Sequence, residues 1–319
     1  MRVKPPYNLS LVTRTVYTIY WDETMAVQDA FWQSRPHGLF NETSTRKQMD
    51  MHEPFLASWP VWSGIPIKKR HFQFGYPLQG ATEFLFATIK PPFRLHVFKG
   101  DYEGYRQAAQ ANGVEIVEHE RRTEAPPKHS FDDTGRFVDV YFVSHPSSID
   151  GEIWDGLETW LENMALKYPH VRIYLDLAYV GSTKKRVVIE PHRFRNIEGI
   201  CFSFSKPFGT FFHRIGGAYL RHHHPVLHYN KWFKNLPALA LGDELMRRYA
   251  VNAIPERNTA LQAQALVAAQ EAGEVPADAV CSDVVLLARG PTGHQEFERA
   301  PGQFRFCLTK GMDLARFSP

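Results

Sequence analysis

From about residue 77 onward, short apolar runs alternate with helix-forming segments, and this alternation narrows the fold more than any other feature of the chain. The runs at 95–98, 138–143, 171–177 and 198–204 are rich in β-branched and aromatic residues, which favour strands. Strands apolar throughout suit a parallel sheet with helices on both faces. Between them, Gly80-Ala81-Thr82-Glu83 precedes a buried helix over 84–89, and 103–112 reads as a helix stopped by Gly113. Residues 114–117 alternate like a strand. An amphipathic helix is predicted over 151–167, with Ile153, Trp154, Leu157, Trp160 and Leu161 at three- and four-residue spacing. A strand over 214–220 follows, then a largely helical stretch over 225–272.

The expected fold is therefore α/β, a mostly parallel central sheet with flanking helices. The apolar runs 284–287 and 304–308 suit a small α+β domain built from the two chain ends. The expected division is an N-terminal arm and part of that small domain over 1–75, a large domain over 76–224, and the rest of the small domain over 225–319. The first seventy residues, with Trp21, Trp32, Trp59 and Trp62, show no clear period.

Composition removes several classes of function. With 44% apolar and 22% charged residues, the 319-residue chain has the balance of a globular protein. No uninterrupted apolar run approaches the roughly 20 residues of a membrane span, and residues 1–6 lack the apolar core of a secretory signal. A net charge of +3 argues against a nucleic-acid partner, and Lys68-Lys69-Arg70-His71 reads as a solvated edge. Cys201, Cys281 and Cys307 are odd in number and widely spaced, as free thiols of a reducing compartment would be. A soluble cytoplasmic protein is expected. Arg221-His222-His223-His224 cannot converge on one ion from adjacent positions, so no metal site is expected.

Chemistry concentrates where polar residues follow apolar strands, because α/β sheets bind ligands beyond their carboxyl ends. Asp176 ends the strand 171–175, and Tyr179 follows it. A carboxylate there caps a helix or pairs with a cation, or else keeps a heteroaromatic nitrogen protonated. Lys206 lies just behind 200–204 and either snorkels to solvent or serves as a nucleophile of depressed pKa. Arg214, eight residues on, suits either a surface ion pair or a phosphate. Gly80, Ala81 and Thr82 stand at a predicted helix N-terminus, a plain helix start or a place where free N–H groups attract an anion.

Taken together and in order, these segments resemble the fold-type I pyridoxal-phosphate (PLP) enzymes of the class I/II aminotransferase family. Ser203-Phe204-Ser205-Lys206-Pro207-Phe208-Gly209 with Arg214 is similar to that family's Ser-x-x-Lys…Arg signature, and Asp176-x-x-Tyr179 to its pyridine-binding pair. Asp101-Tyr102-Glu103-Gly104-Tyr105 resembles the Pro-x-Tyr-x-x-Tyr turn, and Arg305 the arginine that grips a substrate α-carboxylate. The likeness runs with gaps from about residue 77 to 308.

This resemblance implies an aminotransferase acting on an amino acid and a 2-oxo acid, with PLP held as a Schiff base on Lys206. Lys206 would then move the Cα proton, Asp176 keep the pyridine protonated, and Tyr179 bond the phenolate oxygen. Gly80, Ala81, Thr82, Ser203, Ser205 and Arg214 would hold the phosphate, Tyr102 cover the ring, and Arg305 bind substrate. It further implies a homodimer.

The pattern departs at Val143-Ser144-His145-Pro146-Ser147-Ser148, where Ser148 stands in place of an asparagine that donates to the phenolate oxygen and His145 is unexpected. The 99 positions from Lys206 to Arg305 are also few for the family. Both departures leave a PLP-dependent lyase, cyclase or oxidase of a specialised biosynthetic pathway as the alternative.

Overall fold

Three of the apolar runs become adjacent strands in the middle of one sheet. The structure is a computed structural model that describes residues 10–34, 37–40, 44–121, 135 and 137–315, so residues 1–6 lie outside it. Three helices come first: α1 (Asp22–Gln33), α2 (His37–Phe40) and α3 (Thr45–Ser63). Then follow β1 (Phe74–Leu78), α4 (Ala81–Thr88), β2 (Phe93–Phe98), α5 (Glu103–Ala111), β3 (Glu115–His119) and β4 (Val138–Ser144). Next come α6 (Leu157–Lys167), β5 (Arg172–Asp176), β6 (Ile197–Ser203) and β7 (Gly216–Leu220).

These seven strands form one sheet in the order β1-β7-β6-β5-β4-β2-β3. Pairing is parallel from β6 through β5, β4 and β2 to β3, whereas β7 runs antiparallel to both β6 and β1. Alternation along each strand sorts the side chains onto two faces. Tyr141, Val143, Ile173, Leu175, Ile200 and Phe202 pack on the face that also buries Trp160, Leu161 and Met164 of α6. Val140, Phe142, Tyr174 and Cys201 take the other face, with Phe84 and Leu85 of α4 and Tyr105 and Ala108 of α5. Each such large side chain contributes about 1.5–3 kcal/mol by leaving water.

The chain continues through α7 (Pro225–Asn230), α8 (Leu236–Arg248), α9 (Ala253–Arg257) and α10 (Thr259–Glu271), ending in α11 (Thr309–Ala315). Between α10 and α11 lie β8 (Val280–Cys281), β9 (Leu287–Gly290), β10 (Glu298–Ala300) and β11 (Gln303–Cys307). They form a second, antiparallel sheet ordered β10-β11-β9-β8. Thr13 bridges to Cys307, so the N-terminal segment joins this smaller layer.

One expectation needs correction, and a segment that the sequence left open acquires a structure. The helix predicted over 151–167 begins only at Leu157. Gly151 has φ +75° and faces Leu287 and Ser282, and its carbonyl accepts from Val284 N. Contacts to the smaller layer thus hold 151–156 out of the helix, although Ile153 and Trp154 still pack on the core. The N-terminal part without a legible period is largely helical. α3 contains Pro54 and Pro60, yet it has a Ser44 N-cap and ends at Gly64 in the left-handed region.

Candidate active site

All the polar residues singled out behind strands gather at one end of the large sheet. β4, β5 and β6 point their carboxyl ends there, and antiparallel β7 begins there. A cavity of about 500 Å3 opens at this end, lined by Ala81, Thr82, Tyr102, Ser144, Ser148, Asp176, Tyr179, Ser203, Ser205, Lys206, Arg214 and Arg305. Of the residues expected at the site, Gly80 alone is not on its wall. It sits directly behind, as N-cap of α4.

Asp176 closes β5 and is only 5% exposed. Its Oδ1 accepts from Ala178 N at 3.0 Å and its Oδ2 from the fully buried Tyr105 hydroxyl at 3.0 Å. Among the described residues it forms no ion pair, and burial pushes its carboxyl up to about 6. A cation placed beside such a carboxylate would favour its charged form. The bond from Tyr105 was not legible in the sequence, because β5 and α5 meet only in the folded sheet.

Lys206 follows β6 in a turn closed by Phe208 N to Phe204 O at 3.3 Å and Thr210 Oγ1 to Phe204 O at 2.8 Å. Gly209 has φ +67°, and a Cβ there would stand 2.4 Å from Ile19 O, so the turn admits the N-terminal segment only because it has no side chain. Lys206 Nζ donates to Val16 O. Burial, reinforced by Arg305 and Arg214 and opposed by Cys307, brings its amine down to about 8.

Arg214 adopts φ +54°, the only non-glycine residue with positive φ among those described. Such strain persists where the surroundings over-determine it. Its guanidinium donates to Thr82 Oγ1 at 3.3 Å, and a Cβ on Gly80 would stand 2.8 Å from Arg214 Nη2. Ser203 Oγ donates to Ser205 Oγ at 3.1 Å on the same wall. Together with the unpaired N–H groups of the first turn of α4, these groups make a cup suited to a phosphate.

Tyr102 caps α5 and is 42% exposed, its ring edge-on to Tyr105 at 5.5 Å. Tyr179 is buried, and burial raises its hydroxyl pKa. Ser148 and Ser144 both donate to Asp101 Oδ1 at 2.6 Å, so the Ser148 proton is directed at Asp101. His145 is buried with Nδ1 unpartnered, is pushed down to about 4 by burial, and does not line the cavity. Arg305 is 5% exposed and donates to Ser148 O and, at 2.8 Å, to Arg14 O. Its Nε is buried without a partner. Sequence reading missed Arg14, Val16 and Arg299 on the same wall. Among the described residues no three histidine, cysteine or carboxylate side chains converge as a metal site, and no helix is long and apolar enough to cross a membrane.

No protein-family model and no curated protein sequence matches the chain. Solved structures do. An aminotransferase from Staphylococcus aureus superposes with a TM-score of 0.70 at 12% identity, over 97% of this chain and 92% of that one. A probable N-succinyldiaminopimelate aminotransferase from Thermus thermophilus gives 0.66 at 14%, over 96% and 94%. A PLP-bound C-S lyase from Staphylococcus hominis gives 0.64 at 13%, over 93% and 86%. With its mostly parallel seven-stranded sheet and its second, smaller layer, the chain has the fold of the fold-type I PLP-dependent enzymes.

Proposed function

We propose that the protein is a PLP-dependent aminotransferase that acts on an amino acid and a 2-oxo acid. One observation carries this reading: a buried amine and a buried, unneutralised carboxylate face a single cavity whose wall also holds a phosphate cup. The residues fit the cofactor. Arg214, Thr82, Ser203, Ser205 and the backbone at Gly80 and Ala81 would hold its phosphate, Asp176 its ring nitrogen and Tyr179 its phenolic oxygen, with Tyr102 over the ring. PLP, when bound, supplies an aldehyde that condenses with amines and a ring that takes up electrons released at a substrate Cα.

The remaining work belongs to the chain. Lys206, its amine brought down to about 8, would take the proton from the substrate Cα and deliver it two bonds away, to the carbon that the cofactor's aldehyde contributes. Asp176 keeps a proton on the ring nitrogen. Arg305, whose Nε lacks a partner, binds the α-carboxylate.

Mixing the PLP-loaded protein with single L-amino acids should convert the cofactor to its amine form, detected by mass spectrometry, with release of a 2-oxo acid. Formation of ammonia or carbon dioxide with the cofactor left unchanged would favour the lyase reading. That reading draws on Ser148, whose hydroxyl is turned toward Asp101.

We also propose a homodimer. Phe212, Tyr229 and Phe233 are 78%, 70% and 74% exposed, and Phe211, whose ring meets that of Phe212 edge-on at 5.2 Å, lines the cavity. Light scattering should give twice the chain mass, and a fully active monomer would overturn this assignment. The free thiols Cys201, Cys281 and Cys307 support a cytoplasmic location.

A further inference from the structure

The cavity carries more positive charge than a phosphate and an α-carboxylate would answer. Arg214 and Arg305 account for those two anions under the function proposed above, on which this inference rests. Two further guanidinium groups, Arg299 and Arg14, lie on the same wall. A second cavity of about 330 Å3 adjoins the first, and Arg14, Glu103 and Arg299 line both. These three residues therefore stand at the boundary, where a substrate side chain would leave the first cavity.

The cations around the second cavity differ in their partners. Lys99 pairs with Glu120, and Arg106 with Glu118. Neither Arg14 nor Arg299 forms an ion pair among the described residues, and Glu103 is beyond ion-pair distance of both. Arg299 spends its Nε and Nη2 on Gly100 O, at 3.2 and 3.1 Å, with Nη2 also 3.3 Å from Asp101 O. Those carbonyls fix the guanidinium without neutralising it. Burial, with Arg305 and Arg14 adding repulsion, brings Arg299 down to about 10. Three guanidinium groups, with Glu103 and Asp101 the two carboxylates whose charge reaches Arg299, keep an excess of positive charge that an anion stabilises.

We infer that the substrate carries a second anionic group on its side chain, a carboxylate or a phosphate, seated between Arg14 and Arg299. The α-carboxylate falls to Arg305 and the distal anion to the other pair, so chain length between the two anions sets specificity.

Two measurements test this. In the PLP-loaded protein, first-half turnover should favour L-glutamate over L-glutamine, or O-phospho-L-serine over L-serine, by about 10- to 100-fold in kcat/KM. Whichever pair discriminates more identifies the anion. Arg299→Gln should compress that ratio by about tenfold, with Arg299→Lys retaining part of it. Because Arg299 also braces Gly100 and Asp101, Arg14→Gln at an exposed position supplies the second variant and should compress the ratio as well.

Calorimetry on the full chain without cofactor gives the independent arm. Glutarate should bind more tightly than butyrate, with the difference lost in Arg14→Gln. A ratio near unity in a protein that does react with amino acids, or equal binding of glutarate and butyrate, overturns the distal subsite. Failure to react with any amino acid while glutarate is still preferred overturns the transamination reading and leaves the subsite standing.

Discussion

Replacing Lys206 with alanine is expected to abolish covalent capture of PLP and to lower turnover by at least about a thousandfold, since positioned acid–base catalysis alone supplies about 10²–10⁴. Among the described residues Lys206 is the only lysine on the cavity wall, so under the proposed function its loss would remove both the attachment point and the group that moves the Cα proton. The fold should survive, because the side chain gives up one bond to Val16 O and no ion pair among the described residues. Borohydride reduction followed by peptide mass spectrometry checks the prediction. In the wild type the Lys206 peptide gains the cofactor mass, and in Lys206→Ala no peptide does. The pH dependence has a definite sign. Only the neutral amine attacks an aldehyde, and this amine is at about 8 where an ordinary lysine is at 10.5. Capture by the cofactor-free wild type should therefore speed up with rising pH through about 8 and level off above it. A midpoint near 10.5, or an adduct on another lysine, would be inconsistent with a buried nucleophile at this position.

The parts of this molecule legible in its sequence are those fixed by local chemistry. The apolar runs that became β4, β5 and β6 had to be buried on both faces, so a parallel sheet followed from them. Asp176, Lys206 and Arg214 stood out because a charge next to such a strand is costly and asks for a reason. What stayed hidden depends on segments distant in sequence. Pro54 and Pro60 interrupt the pattern of α3, whose helical state rests on Phe55 and Trp59 packing against Phe202 and Phe204. The stretch 151–156 has helical spacing but is held by Asp283 and Val284. Tyr105 meets Asp176 across 71 positions, and Arg305 meets Arg14 across 291. No local pattern marks such pairs. Arg14 and Arg299 look like ordinary surface charges until the smaller layer brings them beside Arg305.

Asp176→Asn should act on stability and catalysis in opposite directions. In the cofactor-free wild type the Asp176 carboxyl stands at about 6 against an ordinary 3.8, because burial disfavours its charge. Its folded pKa is therefore above its unfolded one, and the folded state carries a penalty that is complete above about pH 6 and fades as pH falls toward 4. A displacement of that size corresponds to about 3 kcal/mol at most. Asparagine keeps the shape and has no charge to bury. Its Oδ1 accepts from Ala178 N, and its Nδ2 donates to the Tyr105 oxygen. Urea unfolding at pH 8 should thus find cofactor-free Asp176→Asn more stable than the wild type by about 1–3 kcal/mol, with the gap roughly halved at pH 5 and closing near pH 4. The loaded variant should turn over about 10²–10³-fold more slowly, since a neutral amide holds no proton on the ring nitrogen. Bound PLP should also stabilise the wild type more than the variant, because in the wild type alone it brings the cation that the buried carboxylate lacks. If the variant proves less stable at pH 8, or the gap is the same at pH 5, the carboxylate is already satisfied within the protein. Its position at the end of β5 would then serve the fold and not a ligand.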